Sequence, residues 1–174
     1  MKNIHLRNLC EKDAPYMLEW MHDSSIACYF QFDAKNMTLD SCKEYIKNVD
    51  YDKNSCHYAI VDETDEYLGT ISLKNINYKN NDAEYAISTR KKVHGTGVAL
   101  EATYQIWKIA FEELQLERIY LNVLIDNKRA NVFYQKVGYR LDGTVKDAIE
   151  IQGEKKSLNW YTINRSQYME KKYV

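Results

Sequence analysis

The segment Ala83-Glu84-Tyr85-Ala86-Ile87-Ser88-Thr89-Arg90-Lys91-Lys92-Val93-His94-Gly95-Thr96-Gly97-Val98 decides how this chain folds. Ala83 to Ser88 reads as a strand, Thr89 to Gly97 as a short basic turn, and Val98 onward as a long helix. A strand that ends in Gly-x-Gly and opens a helix leaves several backbone N–H groups unpaired where the positive end of the helix dipole lies. Such a point suits a diphosphate. Gly95 and Gly97 keep side chains from holding an anion off those N–H groups and permit unusual φ values. Arg90, Lys91 and Lys92 add charge for steering, and His94 adds more when protonated. Two other phosphate motifs are excluded. A dinucleotide fingerprint needs a third Gly where Leu100 stands, and a triphosphate loop needs Gly-Lys-Ser/Thr where Gly97-Val98-Ala99 stands.

Outward from this turn, the helix Val98 to Leu114 is expected to bury Leu100, Tyr104, Trp107, Phe111 and Leu114, with Glu101, Gln105, Lys108 and Glu112 opposite. Arg118 to Leu124 reads as the next strand, and a strand, helix and strand in this order suggest a crossover to a parallel neighbour. On the N-terminal side, Cys56 to Val61 and Tyr67 to Leu73 read as strands joined by a turn at Thr64-Asp65. With Ala83 to Ser88 they form an antiparallel set. Asn3 to Leu9 alternates as a first strand. Glu11 to Met21 and Asp40 to Val49 read as helices, the second capped by Thr38 or Asp40. Between them Tyr29, Phe30 and Phe32 form an aromatic loop that either covers the core or walls a pocket.

Beyond the central strand, Asp126 to Val137 reads as a short helix capped by Asp126 or Asn127 and ended by Gly138. Asn127, Asn131 and Tyr134 share one face of it. Tyr139 to Ile149 and Lys156 to Ile163 form a closing hairpin around Gln152-Gly153-Glu154. A polar tail, with room for a last helical turn, begins at Arg165.

Lys92-Val93-His94-Gly95-Thr96-Gly97 resembles the Gln/Arg-x-x-Gly-x-Gly/Ala cofactor motif of the GNAT superfamily of N-acetyltransferases, with Lys92 in place of Gln or Arg. Asn127-x-x-Ala130-x-x-x-Tyr134-x-Lys136-x-Gly138-Tyr139 resembles that family's second block, with Tyr139 in place of Phe. The blocks occur in family order, and the resemblance runs from Ile4 to about Ile163. Trp20-x-x-Asp23, followed by the helix at Asp40, is similar to the branch containing ribosomal-protein N-terminal, polyamine and aminosugar acetyltransferases.

The resemblance implies an α/β domain over residues 1–174, with a mixed, splayed, mostly antiparallel sheet flanked by helices. It implies acetyl-CoA as co-substrate and no metal. Lys92, Val93, His94, Gly95, Thr96, Gly97 and Val98 would hold the diphosphate. Ile87 and Ser88 would pair with the pantetheine arm through the main chain, and Asn127 would bond the cofactor arm. A backbone N–H around Tyr85 to Ile87 would meet the charge developing on the thioester carbonyl. Tyr134, at the family position, would protonate the departing thiolate.

An alkylamine with a pKa of about 10 also needs a base, for which Glu84 is the candidate on the strand beside the reacting carbonyl. The alternative for Glu84 is a surface carboxylate or ion pair, and for Asn127 a helix cap alone. The expected acceptor is a small-molecule amine such as a nucleotide-linked aminosugar. A protein N-terminus and a polyamine are the alternatives, and a polyamine would favour an acidic pocket from Asp23, Asp33 and Glu84. A CoA-binding sensor without turnover is a different class of reading.

Composition agrees. At 174 residues with 45% apolar content the chain suits one domain with a sizeable core. A net charge of −1 argues against bulk nucleic-acid or anionic-membrane binding. No apolar run is long enough for a spanning helix, and the charged, alternating N-terminus is unlike a signal peptide. Cys10, Cys28, Cys42 and Cys56 form no C-x-x-C pair and read as reduced thiols of a cytoplasmic protein. An exposed edge strand leaves a homodimer open.

Overall fold

Alternating apolar residues on both sides of the Gly-x-Gly turn build one seven-stranded sheet. The computed structural model describes residues 3–172, apart from the side chain of Asp50; the ends of the expected 1–174 domain lie outside them. The strands are β1 (Ile4–Asn8), β2 (Cys56–Asp62), β3 (Tyr67–Asn77), β4 (Asp82–Thr89), β5 (Arg118–Leu124), β6 (Arg140–Ile151) and β7 (Glu154–Asn164). Their order is β1-β2-β3-β4-β5-β7-β6. All neighbours are antiparallel except β4 and β5, which the crossover makes parallel.

That one parallel pair is short. Asp82, Ala83 and Glu84 face Arg118, Ile119 and Tyr120, and no pairing follows. Beyond Glu84 the strands part, although β4 runs on to Thr89 and β5 to Leu124. The sheet is therefore mixed and splayed, as expected.

Among the described residues six α-helices flank it: α1 (Ala14–His22), α2 (Ser24–Ala27), α3 (Leu39–Asn48), α4 (Val98–Lys108), α5 (Lys128–Val137) and α6 (Arg165–Lys172). Thr38 caps α3, its side chain accepting from the Ser41 N–H. The expected aromatic loop begins as a helix, because Asp23 caps α2 through the Ser25 N–H. No helix among the described residues is long and apolar enough to cross a membrane.

The sheet separates two apolar layers. On one face, α4, α5 and α6 pack Trp107, Phe111, Tyr134 and Tyr168 against Ile71, Leu73, Tyr85 and Ile119. On the other, α1 and α3 pack Met17, Trp20, Cys42 and Ile46 against Ala59, Val61 and Tyr67. Each large side chain so buried contributes about 1.5–3 kcal/mol.

The buried stripe of α4 differs from expectation. Val98, Ala102, Thr103, Ile106 and Trp107 are buried, whereas Tyr104 is exposed and Leu100 half-buried. The helix passes into a π-helical turn over Ile109–Glu113. Wider winding there carries Ala110 and Phe111 onto the same face as Ile106 and Trp107. Two adjacent rows already share the contact upstream of that turn, at Ala102–Thr103 and Ile106–Trp107, whereas the expected stripe runs in one row through Tyr104.

Candidate active site

At the expected anion site the backbone is left-handed at both glycines. Gly95 and Gly97 have φ of 77° and 88°, left-handed conformations that favour glycine. A Cβ at either position would meet nothing within 4 Å, so the main chain is open to an approaching group. Gly97 is the N-cap of α4 and offers no side chain to its first-turn N–H groups. Lys91–Val93 forms a single 3-10 turn beside it. Gly97 and Val98 thus stand at the open helix end, with Lys92, Val93, His94, Gly95 and Thr96 leading into it. The hydroxyl of Thr96 turns inward, donating to the Val93 carbonyl at 2.7 Å.

The charge at this turn is arranged differently from the sequence reading. Arg90 is buried, and its guanidinium grips Glu19 with Nε and Nη2 at 3.0 and 2.7 Å. Its Nη1 donates to Glu66 at 2.7 Å and to the Tyr67 carbonyl at 3.1 Å, and its plane lies 4.6 Å over the Tyr16 ring. Lys92 also pairs with Glu66, and Lys91 lies 3.7 Å from Asp23. Arg90 is thus a structural tie between α1, β3 and the turn, not a free phosphate ligand. His94 adds no charge at neutral pH. Burial first, and the neighbouring Arg129 second, lower its pKa below the usual imidazole range. Arg129, near the start of α5, touches His94 Nδ1 and has no carboxylate partner among the described residues. It is the cation that the sequence reading missed here.

Tyr134 is on α5, which is pinned at several points. Asn127 caps it, Oδ1 accepting from the Ala130 N–H at 3.1 Å. The cap therefore occupies the Asn127 carbonyl oxygen, while its Nδ2 has no partner among the described residues. Gly138, at φ 118°, ends the helix. Buried Asn131 donates to the Leu124 carbonyl at 2.9 Å and accepts from Tyr161 and Asn159 at 3.0 and 2.7 Å. It fastens α5 to β5 and β7, a role that its place on the Tyr134 face did not reveal. The Tyr134 ring packs among Tyr85, Phe133, Tyr139 and Tyr161. Its hydroxyl has no hydrogen-bond partner among the described residues, and burial raises its pKa above the ordinary phenol value. The phenol therefore stays protonated through neutral pH.

Across β4 lies a cavity of about 350 Å³. Its sheet side is His57, Thr70, Ser72, Lys74, Ala86 and Ser88, which the register places on one face. Its helix side is Met17, Trp20, Met21, Cys42 and Tyr45, with Phe32 and Met37 from the intervening loop. Ile87 completes the wall at the strand split. Phe32 thus walls the cavity, and Phe30 packs on Trp20 and Phe32. Gln31 reaches across to Asn122 of β5 at 3.0 Å.

His57 is a further group that the linear pattern did not reveal. Its Nδ1 meets Tyr45 Oη at 2.9 Å and Ser72 Oγ at 2.8 Å, and burial lowers its pKa.

The three acidic residues named for a polyamine pocket are each held by neighbours. Asp23 is held by the Ser25 N–H and hydroxyl, and Asp33 by Asn36. Glu84 is the last β4 residue paired with β5. Its carboxylate accepts from Asn75 at 2.8 Å and from Lys74 at 3.0 Å. None of the three lines the cavity.

A family model described as an acetyltransferase (GNAT) domain matches residues 3–140. The chain is 26% identical over 78 residues to YdaF of Bacillus subtilis (strain 168), provisionally named a ribosomal N-acetyltransferase. That match spans 45% of this chain and 43% of the relative, less than half the relative's length. Among solved structures, a Vibrio cholerae spermidine N-acetyltransferase in complex with CoA and spermine superposes with a TM-score of 0.87 at 23% identity. The match covers 95% of this chain and 98% of that one. A chimera of the Vibrio cholerae spermidine N-acetyltransferase SpeG with hSSAT gives 0.85 at 23% identity over the same shares. At this identity the likeness is one of fold.

Proposed function

The chain belongs to the GNAT family of acetyltransferases, and we propose that it is a single-domain cytoplasmic enzyme that moves an acetyl group from acetyl-CoA to a small-molecule primary amine. One observation carries this reading. At the split between β4 and β5, a tyrosine hydroxyl with no hydrogen-bond partner among the described residues stands on α5, and a ligand-sized cavity opens on the opposite face of the same strand. Two reactants can then meet from opposite sides, which suits direct attack in a ternary complex.

Acetyl-CoA supplies the activated thioester. Its diphosphate would rest on the N–H groups of residues 92–98, with Arg129 adding charge. The main chain of Ile87 and Ser88, paired to β3 and unpaired on its β5 side, would hold the pantetheine arm, helped by Asn127 Nδ2. As the new C–N bond forms and the C–S bond breaks, the electron pair leaves with sulfur. Tyr134 gives that sulfur a proton. Glu84, at the crotch of the split, takes the proton from the amine, which requires it to loosen its contacts with Lys74 and Asn75.

The acceptors to compare are an amino group on a nucleotide-linked sugar, a polyamine and a protein N-terminus. The fold likeness to spermidine acetyltransferases makes the polyamine the second reading. Free sheet edges at β1 and β6 are where a homodimer would form. The four cysteines are unbridged.

The test incubates the protein with acetyl-CoA and pooled amines and follows the amines by mass spectrometry. An acetylated product that requires both protein and acetyl-CoA supports the reading. Tight acetyl-CoA binding with no acetylated amine across the pool would favour a sensor.

A further inference from the structure

The cavity shares Ala86, Ile87 and Ser88 with the stretch of β4 that leaves β5. A molecule in the cavity therefore lies beside the place where, on the reading above, the thioester would lie. What lines the cavity then decides which amines can be acceptors.

The helix and loop side offers Met17, Met21, Met37, Trp20, Phe32 and Tyr45, whose hydroxyl is taken up by His57. Three thioethers with three aromatic rings make an adaptable, largely apolar wall. The polar groups opposite are hydroxyls, His57 and one ammonium, Lys74. No carboxylate lines the cavity among the described residues. Glu84, the nearest acid along β4, already neutralises Lys74. The volume falls near the low end for small-molecule sites, which run from about 300 to 1,000 Å³.

We infer that this cavity takes a primary amine carried on an uncharged apolar body, an arylalkylamine being the simplest member of the class. The inference rests on the acetyl-transfer reading and narrows it. A polyamine would bring further ammonium groups against an apolar wall, with Lys74 in the lining and the one nearby carboxylate, Glu84, already paired with it. A sugar would place several hydroxyls against methionines and aromatic rings, with few polar partners. An apolar amine matches the wall. The same surroundings disfavour its charged form and so help to expose the lone pair that attacks.

The test compares 2-phenylethylamine, spermidine and glucosamine as acceptors with acetyl-CoA, in wild type and in Phe32→Asp. Phe32 is half-exposed, so the substitution leaves the core intact. The expected kcat/KM for phenylethylamine exceeds that for either competitor by about ten-fold or more, and Phe32→Asp erodes this preference by at least about ten-fold. Equal or better use of spermidine or glucosamine by wild type would overturn the inference while leaving acetyl transfer intact. If no amine is acetylated, calorimetry with phenylethylamine alone decides. Binding that Phe32→Asp weakens would uphold the cavity assignment and sink the enzymatic reading, whereas no binding would overturn the cavity assignment.

Discussion

The Tyr85 ring meets the Tyr134 ring edge-on, with centroids 6.0 Å apart and planes at 89°. Tyr85 is itself fixed, its hydroxyl 2.8 Å from Thr103 Oγ1 on α4. The side chain of the strand that borders the split therefore positions the side chain expected to act as acid. Removing the Tyr85 ring should let Tyr134 drift. Tyr85→Leu is expected to lower kcat by about ten-fold with little change in the KM for acetyl-CoA, and Tyr85→Phe to restore most of it. Steady-state kinetics of the two variants check this. An equal loss in both would point to the hydroxyl and not the ring.

The glycines of the turn predict a cofactor effect. At Gly97 a methyl group clashes with nothing, yet φ is 88° and the space it enters lies over the start of α4. Gly97→Ala should lose about 1–2 kcal/mol of stability from backbone strain. It should also weaken acetyl-CoA binding more than acceptor binding. Calorimetric titration with each ligand separates the two effects.

Arg90 predicts a stability effect without a cofactor effect. Its guanidinium holds Glu19 and Glu66, both partly exposed. Arg90→Met should destabilise the fold by about 2 kcal/mol, less than for a fully buried pair because water screens the two carboxylates. Acetyl-CoA affinity measured well below the melting temperature should stay within about three-fold of wild type. A large affinity loss in a stable variant would return Arg90 to the phosphate site.

The half-buried imidazole of His57 predicts an acid-side loss of stability. Burial lowers its folded pKa below the unfolded value of about 6.5. Between those two values the unfolded chain binds more protons, so stability falls as pH drops below about 6.5 and is unchanged by this group above it. His94, lowered by burial and Arg129, acts in the same direction. Thermal melts from about pH 7.5 to 5.5 should show a shallower decline in His57→Gln than in wild type. Identical slopes would contradict this.

What the linear sequence discloses follows from which residues demand a conformation. Gly97 and Gly138 sit at positive φ at helix ends, and both stand out because few other residues serve there. Asn127 caps α5 within its own segment, so the cap was legible too. Arg90 was not. Its partners Glu19 and Glu66 lie 71 and 24 residues away, and an Arg-Lys-Lys run reads as solvated charge until those partners arrive. The cavity was equally hidden, because β2, β3, β4, α1 and α3 contribute one to three side chains each. Only the aromatic loop that supplies Phe32 hinted at it. On α4, the small side chains Ala102 and Thr103 take the buried face while Tyr104 turns outward, which a count of large apolar residues at helical spacing does not anticipate.

The most direct test of the central claim is release of free CoA thiol from acetyl-CoA in the presence of an accepted amine, for wild type and Tyr134→Phe. The account predicts amine-dependent release that falls at least about ten-fold in the variant, the low end for losing a general acid when water can substitute. Acetyl-CoA binding should be unchanged. Full activity in Tyr134→Phe would contradict the role given to that hydroxyl, and no amine-dependent release in wild type would contradict acetyl transfer itself.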